Sequence, residues 1–308
     1  MKTKLGTRIE RAFKFLILGP QIVARYGTLN PRKVRLTGSD NWIHIDPRDA
    51  RARKKFIYDP LRGRVSTPLN FWRAFNAHLR PKLALDVGAN FGECLFGLDY
   101  NPATHVFGVE ASPLIVPCLE KSRSDHPARD RITLFCGLVS DQIADNVPFF
   151  VDRNWSGNAS AIPALNDVPN VEKFLLPART LDSILPRELA AGATLLFKMD
   201  IEGFESRAFR GFESTLDATS LAVGFVEFDS TFIITAGESP QDYFAYLGRR
   251  FDIYRLTSPK EQQFIRVTAF GELPPSKTGQ KRVHTDLLLV TRGASPSAWL
   301  SPGWKITR

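Results

Sequence analysis

The chain has 308 residues, 43% hydrophobic and 24% charged, so it can bury one large core and is too apolar to be wholly disordered. With 3 Cys, 21 Gly and 21 Pro it is neither a disulfide scaffold nor collagen-like, and it has no run of about 20 apolar residues. The net charge of +9 is uneven: residues 1–64 carry 16 Lys and Arg against 5 Asp and Glu, and the remainder carries 25 against 27.

Residues 1–64 stand apart as a basic N-terminal extension and cap, followed by a domain over 65–308. Such a segment suits a phosphate-rich partner, an anionic membrane surface or plain solvent. Residues 12–24 have the positive flank of a signal peptide, but Lys14 and Gly19-Pro20 interrupt the apolar part and no small-residue cleavage site follows. Phe13, Leu16, Ile17 and Val23 predict one apolar side of a short helix, lying on anionic lipid or packed on the domain. Cys94, Cys118 and Cys136 have apolar neighbours and no CxxC spacing. Buried reduced thiols in a cytoplasmic protein are expected, with peripheral contact at the inner membrane face left open.

From residue 82 two periodicities alternate. Apolar runs at 83–87, 106–110, 132–136, 194–199 and 221–228 read as buried strands, and 91–100, 113–124 and 205–216 as helices between them. Near-continuous apolar strands alternating with helices predict a doubly wound, mostly parallel α/β sheet. Ser112-Pro113 reads as a helix start and Pro117 as a kink. Residues 147–180 break the alternation as an insertion, with strands at 147–152 and 174–177 around a polar loop at 154–160. Within that loop Trp155 suits stacking on a sugar ring or simple packing, and the Asn154-Trp-Ser and Asn158-Ala-Ser triplets read as chance glycosylation patterns. A helix at 243–247 and strands at 251–256 and 287–291 follow, joined by a long polar link whose Pro274-Pro275 and Gly279 predict irregular structure.

Three clusters carry chemistry. Asp86-Val-Gly88-Ala-Asn90-Phe-Gly92 joins the first buried strand to a helix, where glycines let a ligand approach the backbone. Its GxxxG spacing is not the GxGxxG of dinucleotide folds. Glu110 ends the second strand, where a carboxylate can accept from two ribose hydroxyls; with the loop it predicts an adenosine-containing ligand. Lys198, Asp200 and Glu202 alternate at the end of the fourth strand, and Glu227 and Asp229 end the next. Charge on a buried parallel strand is tolerated at its C-terminal edge, where ligands bind, so both groups should face one crevice. The five histidines, His44, His78, His105, His126 and His284, fall outside every motif and read as surface or structural.

LDVGANFGE (85–93), VFGVEASP (106–113), RTLDSIL (179–185), FKMDIEGFESRAFRGF (197–212) and VGFVEFD (223–229) together resemble the FkbM family of S-adenosylmethionine-dependent methyltransferases. The resemblance covers about residues 82–230, with Ala111 where the family usually has Pro. It implies a Rossmann-like class I methyltransferase fold and S-adenosyl-L-methionine as cofactor. It places Asp86, Gly88, Ala89, Asn90, Phe91, Gly92, Glu110, Ala111, Ser140 and Asp141 against that cofactor. The implied reaction is O-methyl transfer to a hydroxyl of a glycan, glycolipid or small metabolite, by in-line displacement at the sulfonium methyl. Asp200 or Glu202 is the expected base, Glu227 the reserve, and Lys198 the residue that orients them or holds the substrate. A metal-free site is expected, although Asp200, Glu202, Glu227 and Asp229 together would suit Mg²⁺. Two other readings stay open. One is a nucleic-acid methyltransferase, which the basic segment suggests and the absence of Asn-Pro-Pro-Tyr or Pro-Cys elements opposes. The other is a non-catalytic, membrane-associated interaction protein on the same fold.

Overall fold

The computed structural model describes residues 17–153, 155–158, 161, 171–258, 261–276 and 282–307. The strands are β1 (Lys33–Arg35), β2 (Trp42–His44), β3 (Leu83–Val87), β4 (His105–Glu110), β5 (Ile132–Cys136), β6 (Leu138–Val139) and β7 (Ala144–Asp152). They continue with β8 (Val171–Arg179), β9 (Thr194–Met199), β10 (Leu221–Asp229), β11 (Phe251–Ser258), β12 (Gln263–Val267), β13 (His284–Thr291) and β14 (Lys305–Thr307).

One nine-stranded sheet has the order β14-β12-β11-β13-β10-β9-β3-β4-β5. β5, β4, β3, β9 and β10 run parallel, and β13 inserts antiparallel between β10 and β11. The chain winds outward from β3 to β5, then returns to lay β9 on the other side of β3. The order reverses there, and in such sheets a crevice opens at the strand C-termini. This is the doubly wound, Rossmann-like arrangement expected from the apolar runs. Those runs are near-continuous because both faces are covered. Along β3, Ala84 packs with Leu196, Val223 and Phe225 on one face, while Leu83, Leu85 and Val87 pack with Phe197, Met199 and Phe209 on the other.

The first face is covered partly by the N-terminal segment. Residues 17–26 are helical, Val34 and Ile43 of the β1–β2 hairpin are fully buried, and Phe56 and Ile57 follow on a helical stretch. All join the core that holds Phe71, Trp72 and Phe75 of the helix Thr67–Leu79. The described part of the basic extension is thus built into the domain. Its buried helix side is Leu18 and Ile22, four residues apart, whereas Ile17 and Val23 are 50% and 43% exposed; Phe13 and Leu16 lie outside the described residues. No helix among the described residues is long and apolar enough to cross a membrane.

Several local expectations are corrected. Pro117 does not kink a helix, because the helix begins at Val116 and Pro117 sits in its first turn, where the missing N–H has no partner to lose. The helix after β3 is only Glu93–Phe96, stopped at Gly97, and the predicted 205–216 helix breaks at Gly211 into Glu205–Arg210 and Glu213–Ala218. The long link contains β12, which extends the sheet beyond β11; Gly279 lies outside the described residues. Cys94 is buried, but Cys118 is half-buried and Cys136 exposed. The insertion forms its own sheet, β6-β8-β7, over a small core of Leu138, Phe149, Val151 and Ala178. Of the polar loop, Asn154, Ser160 and the side chain of Asn158 lie outside the described residues.

Candidate active site

Strand register decides which side chains meet. Asp86 pairs with Lys198 across β3 and β9, and with Gly108 across β3 and β4; Glu227 pairs with Asp286 across β10 and β13. Paired residues share a face, and side chains two apart along a strand return to it. Asp86, Glu110, Lys198, Glu227, Asp229, His284 and Asp286 therefore lie on the face that the N-terminal segment covers, at the reversal of the sheet or close to it.

The loop after β3 turns sharply. Gly88 has φ +78°, and a Cβ there would fall 1.9 Å from the Asp200 carbonyl oxygen, so only glycine fits. Gly88 and Ala89 N–H both donate to Val109 O, at 3.0 and 2.9 Å, and Asp200 N–H donates to Val87 O at 3.1 Å. These bonds lock the ends of β3, β4 and β9 together. Glu110 is 7% exposed and accepts from Asn90 N–H at 2.8 Å and Ser112 N–H at 2.7 Å. Burial raises its pKa, and the two backbone N–H bonds oppose that rise. Phe91 and Gly92 lie behind the loop: a Cβ on Gly92 would meet the Phe96 ring at 2.3 Å.

Lys198 sits among three oxygens. Its Nζ donates to Gly88 O at 3.2 Å and lies 3.3 Å from Asp86 Oδ1 and 3.7 Å from Asp200 Oδ2. Burial disfavours its charge, but Asp86 and Asp200 outweigh that and raise its pKa. Asp86 is 1% exposed; its Oδ1 takes the ammonium's charge without an aligned hydrogen bond, and burial raises its pKa.

Beyond Lys198 the carboxyls crowd. Oxygens of Asp200, Glu202 and Glu227 lie within 4.8 Å of one another, a donor set that could also hold a hard cation. Burial and then the charge of Asp200 push Glu202 up to about 8 and Glu227 up to about 10. Burial also opposes ionisation of Asp200, yet Lys198, Arg51 and Lys55 hold it below the usual carboxylate range. Asp286 is pushed up to about 6 by burial and Asp200. Asp229 leaves the group: it bonds Arg282 and His284 and caps the helix Ser230–Thr235, so the expected foursome is a threesome. Glu205 shapes the loop, accepting from Ile201 N–H at 2.8 Å and Gly203 N–H at 2.9 Å, while Glu202 itself sits at φ +54°.

Part of this cluster lines a cleft with about 890 Å³ of free space, its open mouth included, while Glu227 and Asp229, expected at the same crevice, stand outside its walls. Asp86, Gly88, Ala89, Asn90, Glu110, Ala111, Lys198, Asp200 and Glu202 all face it. Ser140 and Asp141 are not among its walls. The chain reaches the cleft earlier, through Gly137, Leu138 and Val139, while Ser140 N–H is tied to Arg179 O at 2.9 Å. Sequence reasoning also missed Arg51, Lys55 and Glu93. Arg51 and Lys55 come from Ala50–Arg53 and the π-turn Lys54–Tyr58, and Lys55 Nζ is 2.6 Å from Glu93 Oε2. Asp49 fixes this wall, accepting from Ala52 N–H at 2.8 Å and, across the cleft's rim, from Ser156 N–H at 2.9 Å. The basic run was visible in the sequence; which two of its side chains turn inward depends on the π-turn.

A family model described as the methyltransferase FkbM domain matches residues 86–253, from the cleft's Asp86 into β11. The chain belongs to the FkbM methyltransferase domain family. The match takes in the Gly88 loop, Glu110, the insertion and both acidic strand ends, and begins after residues 1–64. No curated protein matches the chain. Among solved structures, the FkbM chain is similar to the O-methyltransferase from Bacillus cereus in complex with SAH, at 13% identity, TM-score 0.38, covering 74% of this chain and 82% of that one. TomG from Streptomyces achromogenes, an O-methyltransferase involved in tomaymycin synthesis and solved with SAM, gives 12%, TM-score 0.37, 81% and 91%. The precorrin-6y C5,15-methyltransferase from Geobacter metallireducens gives 10%, TM-score 0.30, 71% and 87%. At these values the likenesses carry no argument about cofactor or acceptor.

Proposed function

We propose that this FkbM protein transfers a methyl group from S-adenosyl-L-methionine to a hydroxyl of a glycan, glycolipid or small metabolite. The observation that carries the reading is that the ribose acid Glu110 and the acidic pair Asp200–Glu202 line one cleft within the family match. The residues fit this cofactor. Glu110 offers the remaining lone pairs of a buried carboxylate to the ribose hydroxyls. Asp86, at the foot of the same loop and charge-paired with Lys198, adds to the polar end of the cleft where the cofactor's amino-acid part would sit. Leu138 and Val139 give the cleft an apolar end for a base ring. When bound, the cofactor supplies an activated methyl on a good leaving group, so the protein mainly positions and dries the site.

Asp200, kept ionised beside Lys198, orients the acceptor hydroxyl and favours positive charge next to it. It is too weak a base to take the proton early. Glu202, pushed up to about 8, is the stronger acceptor once it has lost its own proton. Glu227 lies behind both, and Lys198 holds the loop and the carboxylates in place. The site is read as metal-free, its crowded carboxyls relieved by protons. Residues 1–64 are read as a cap with residues 65–308 as the methyltransferase domain. Several of its cations are engaged by acids: Lys33 by Asp125 at 2.8 Å, Arg48 by Asp46 at 2.8 Å and Lys55 by Glu93 at 2.6 Å. That leaves less free charge for nucleic acid than the raw count suggests; contact with an anionic membrane is a separate question, answered by vesicle sedimentation.

Calorimetric titration with S-adenosylmethionine, S-adenosylhomocysteine and NAD tests the cofactor. Micromolar binding of the first two and none of NAD is expected, and no binding of either overturns the reading. An acceptor screen beginning with sugars, read by S-adenosylhomocysteine release, then tests the transfer.

A further inference from the structure

We propose that His284 completes a proton exit from the methyl-transfer site, running from Asp200 and Glu227 through the imidazole to solvent, with Asp229 as its anchor. This inference rests on the methyl-transfer reading above. His284 opens β13, and its register partner across β10 is Asp229, two residues beyond Glu227 on the same face. The imidazole therefore spans the two acids: Nδ1 is 2.8 Å from Asp229 Oδ2, and Nε2 is 3.7 Å from Glu227 Oε1.

Asp229 is built to be an anchor. Its side chain is 3% exposed and accepts from Arg282 Nε at 3.0 Å and Thr231 N–H at 2.9 Å. Burial opposes its charge, but bonds to His284 and Arg282 hold its pKa well below the usual range. An anchored carboxylate accepts the Nδ1 proton, which leaves the Nε2 lone pair pointing toward Glu227. The groups facing the ring are Asp229 and Glu227 on β10, Asp286 on its own strand, and Arg282 just before it. The Asp229 hydrogen bond raises the imidazole pKa, burial and Arg282 oppose, and Asp286 adds to the rise. An imidazole whose pKa is raised above its usual value is suited to collecting protons that a depressed Asp200 cannot keep.

The path is continuous. Asp200 lines the cleft, oxygens of Asp200 and Glu227 lie within 4.8 Å of each other, His284 faces Glu227, and the His284 side chain is 47% exposed. A small rotation of the ring would close the 3.7 Å gap to hydrogen-bonding distance. As the acceptor oxygen gains its bond to the methyl carbon, the carbon–sulfur bond breaks and the sulfonium becomes a neutral thioether. The hydroxyl proton passes to the carboxylate that contacts it, Glu227 hands one to Nε2, and His284 releases one to water. One proton leaves per methyl transferred. His284 does not touch the reacting atoms; it acts through Glu227.

The test has two arms on the full chain. Imidazole ¹H–¹⁵N spectra across pH 5–9 should show the Nδ1–H tautomer with a midpoint above the usual histidine value. In Asp229→Asn that midpoint should fall by about one unit. An Nε2–H tautomer, or no change in Asp229→Asn, overturns the proposal without any acceptor being known. In the second arm His284→Asn should lower kcat about tenfold at pH 7, with S-adenosylmethionine affinity unchanged by calorimetry and part of kcat restored by imidazole in the buffer. An unchanged kcat in a variant that binds cofactor defeats the relay and spares the methyltransferase reading. A wild type that transfers to no acceptor defeats both.

Discussion

The two halves of the cleft are built on opposite principles. Around β3 and β4 the charged groups are matched: Glu110 takes two backbone N–H bonds, and Asp86 has Lys198 beside it. Around β9 and β10 like charges are forced together: Asp200, Glu202 and Glu227 share a few ångströms, with Asp286 close behind. A matched, buried cradle is rigid and binds one shape. A crowded cluster keeps protons that ordinary carboxyls would have lost, and so has protons to exchange. On the methyl-transfer reading the difference separates holding a ligand from reacting with it, and the substitutions below strike the seam between the halves, one half or the other.

Gly88→Ala should have the largest effect, because it hits the seam between the halves. The added methyl would sit 1.9 Å from the Asp200 carbonyl, at a φ of +78° that alanine resists. Loss of measurable S-adenosylmethionine binding is expected, with a thermal midpoint lowered by more than about 5 °C. Near wild-type affinity would mean that the β3 loop is not the cradle. Asp200→Asn comes next and strikes the reactive half. Lys198 keeps Asp86, so cofactor affinity should change by less than about threefold while kcat drops on the order of 100-fold. Full activity would remove Asp200 from the chemistry. Glu110→Ala strikes the cradle. Lost ribose contacts and the freed Asn90 and Ser112 N–H groups should weaken cofactor binding about 30- to 100-fold, measured by calorimetry.

The same contrast explains what the sequence disclosed. The matched half was legible because glycines and a strand-end acid have local signatures: Gly88, Asn90 and Glu110 were placed by position alone. Lys198, Asp200 and Glu202 stood out as charges on an apolar strand. What was not legible depends on contacts between distant elements. Asp286 and His284 enter through antiparallel register with β10, a strand insertion no local pattern announces. Arg51 and Lys55 enter because a π-turn aims them inward and Asp49 ties their helix to Ser156. Ser140 and Asp141 were assigned by analogy with similar folds, whereas this chain meets the cleft at Leu138 and Val139. Doubly wound order itself was read from periodicity, while β12 and the two-piece helix after β9 were hidden by a polar link and by Gly211.

The smallest effect sharpens the comparison most, because it needs no substrate. Glu227 is raised from 4.5 to about 10 in the folded chain, by burial and then by Asp200. Between those values the folded state holds a proton that the unfolded state has lost. Stability from this group is therefore complete below about pH 4.5 and declines as pH climbs toward 10. Glu227→Gln keeps the shape and cannot titrate, so its advantage over wild type should grow with pH. The thermal midpoint of the variant should sit within about 1 °C of wild type at pH 5 and ~2–6 °C above it at pH 9. Glu110→Gln, in the matched half, should show a smaller pH trend, since backbone N–H bonds already favour its charge. Equal pH trends for Glu227→Gln and wild type would mean that the cluster is not crowded in solution. A cation would then be the natural explanation, and a chelator should reveal it by lowering the wild-type midpoint.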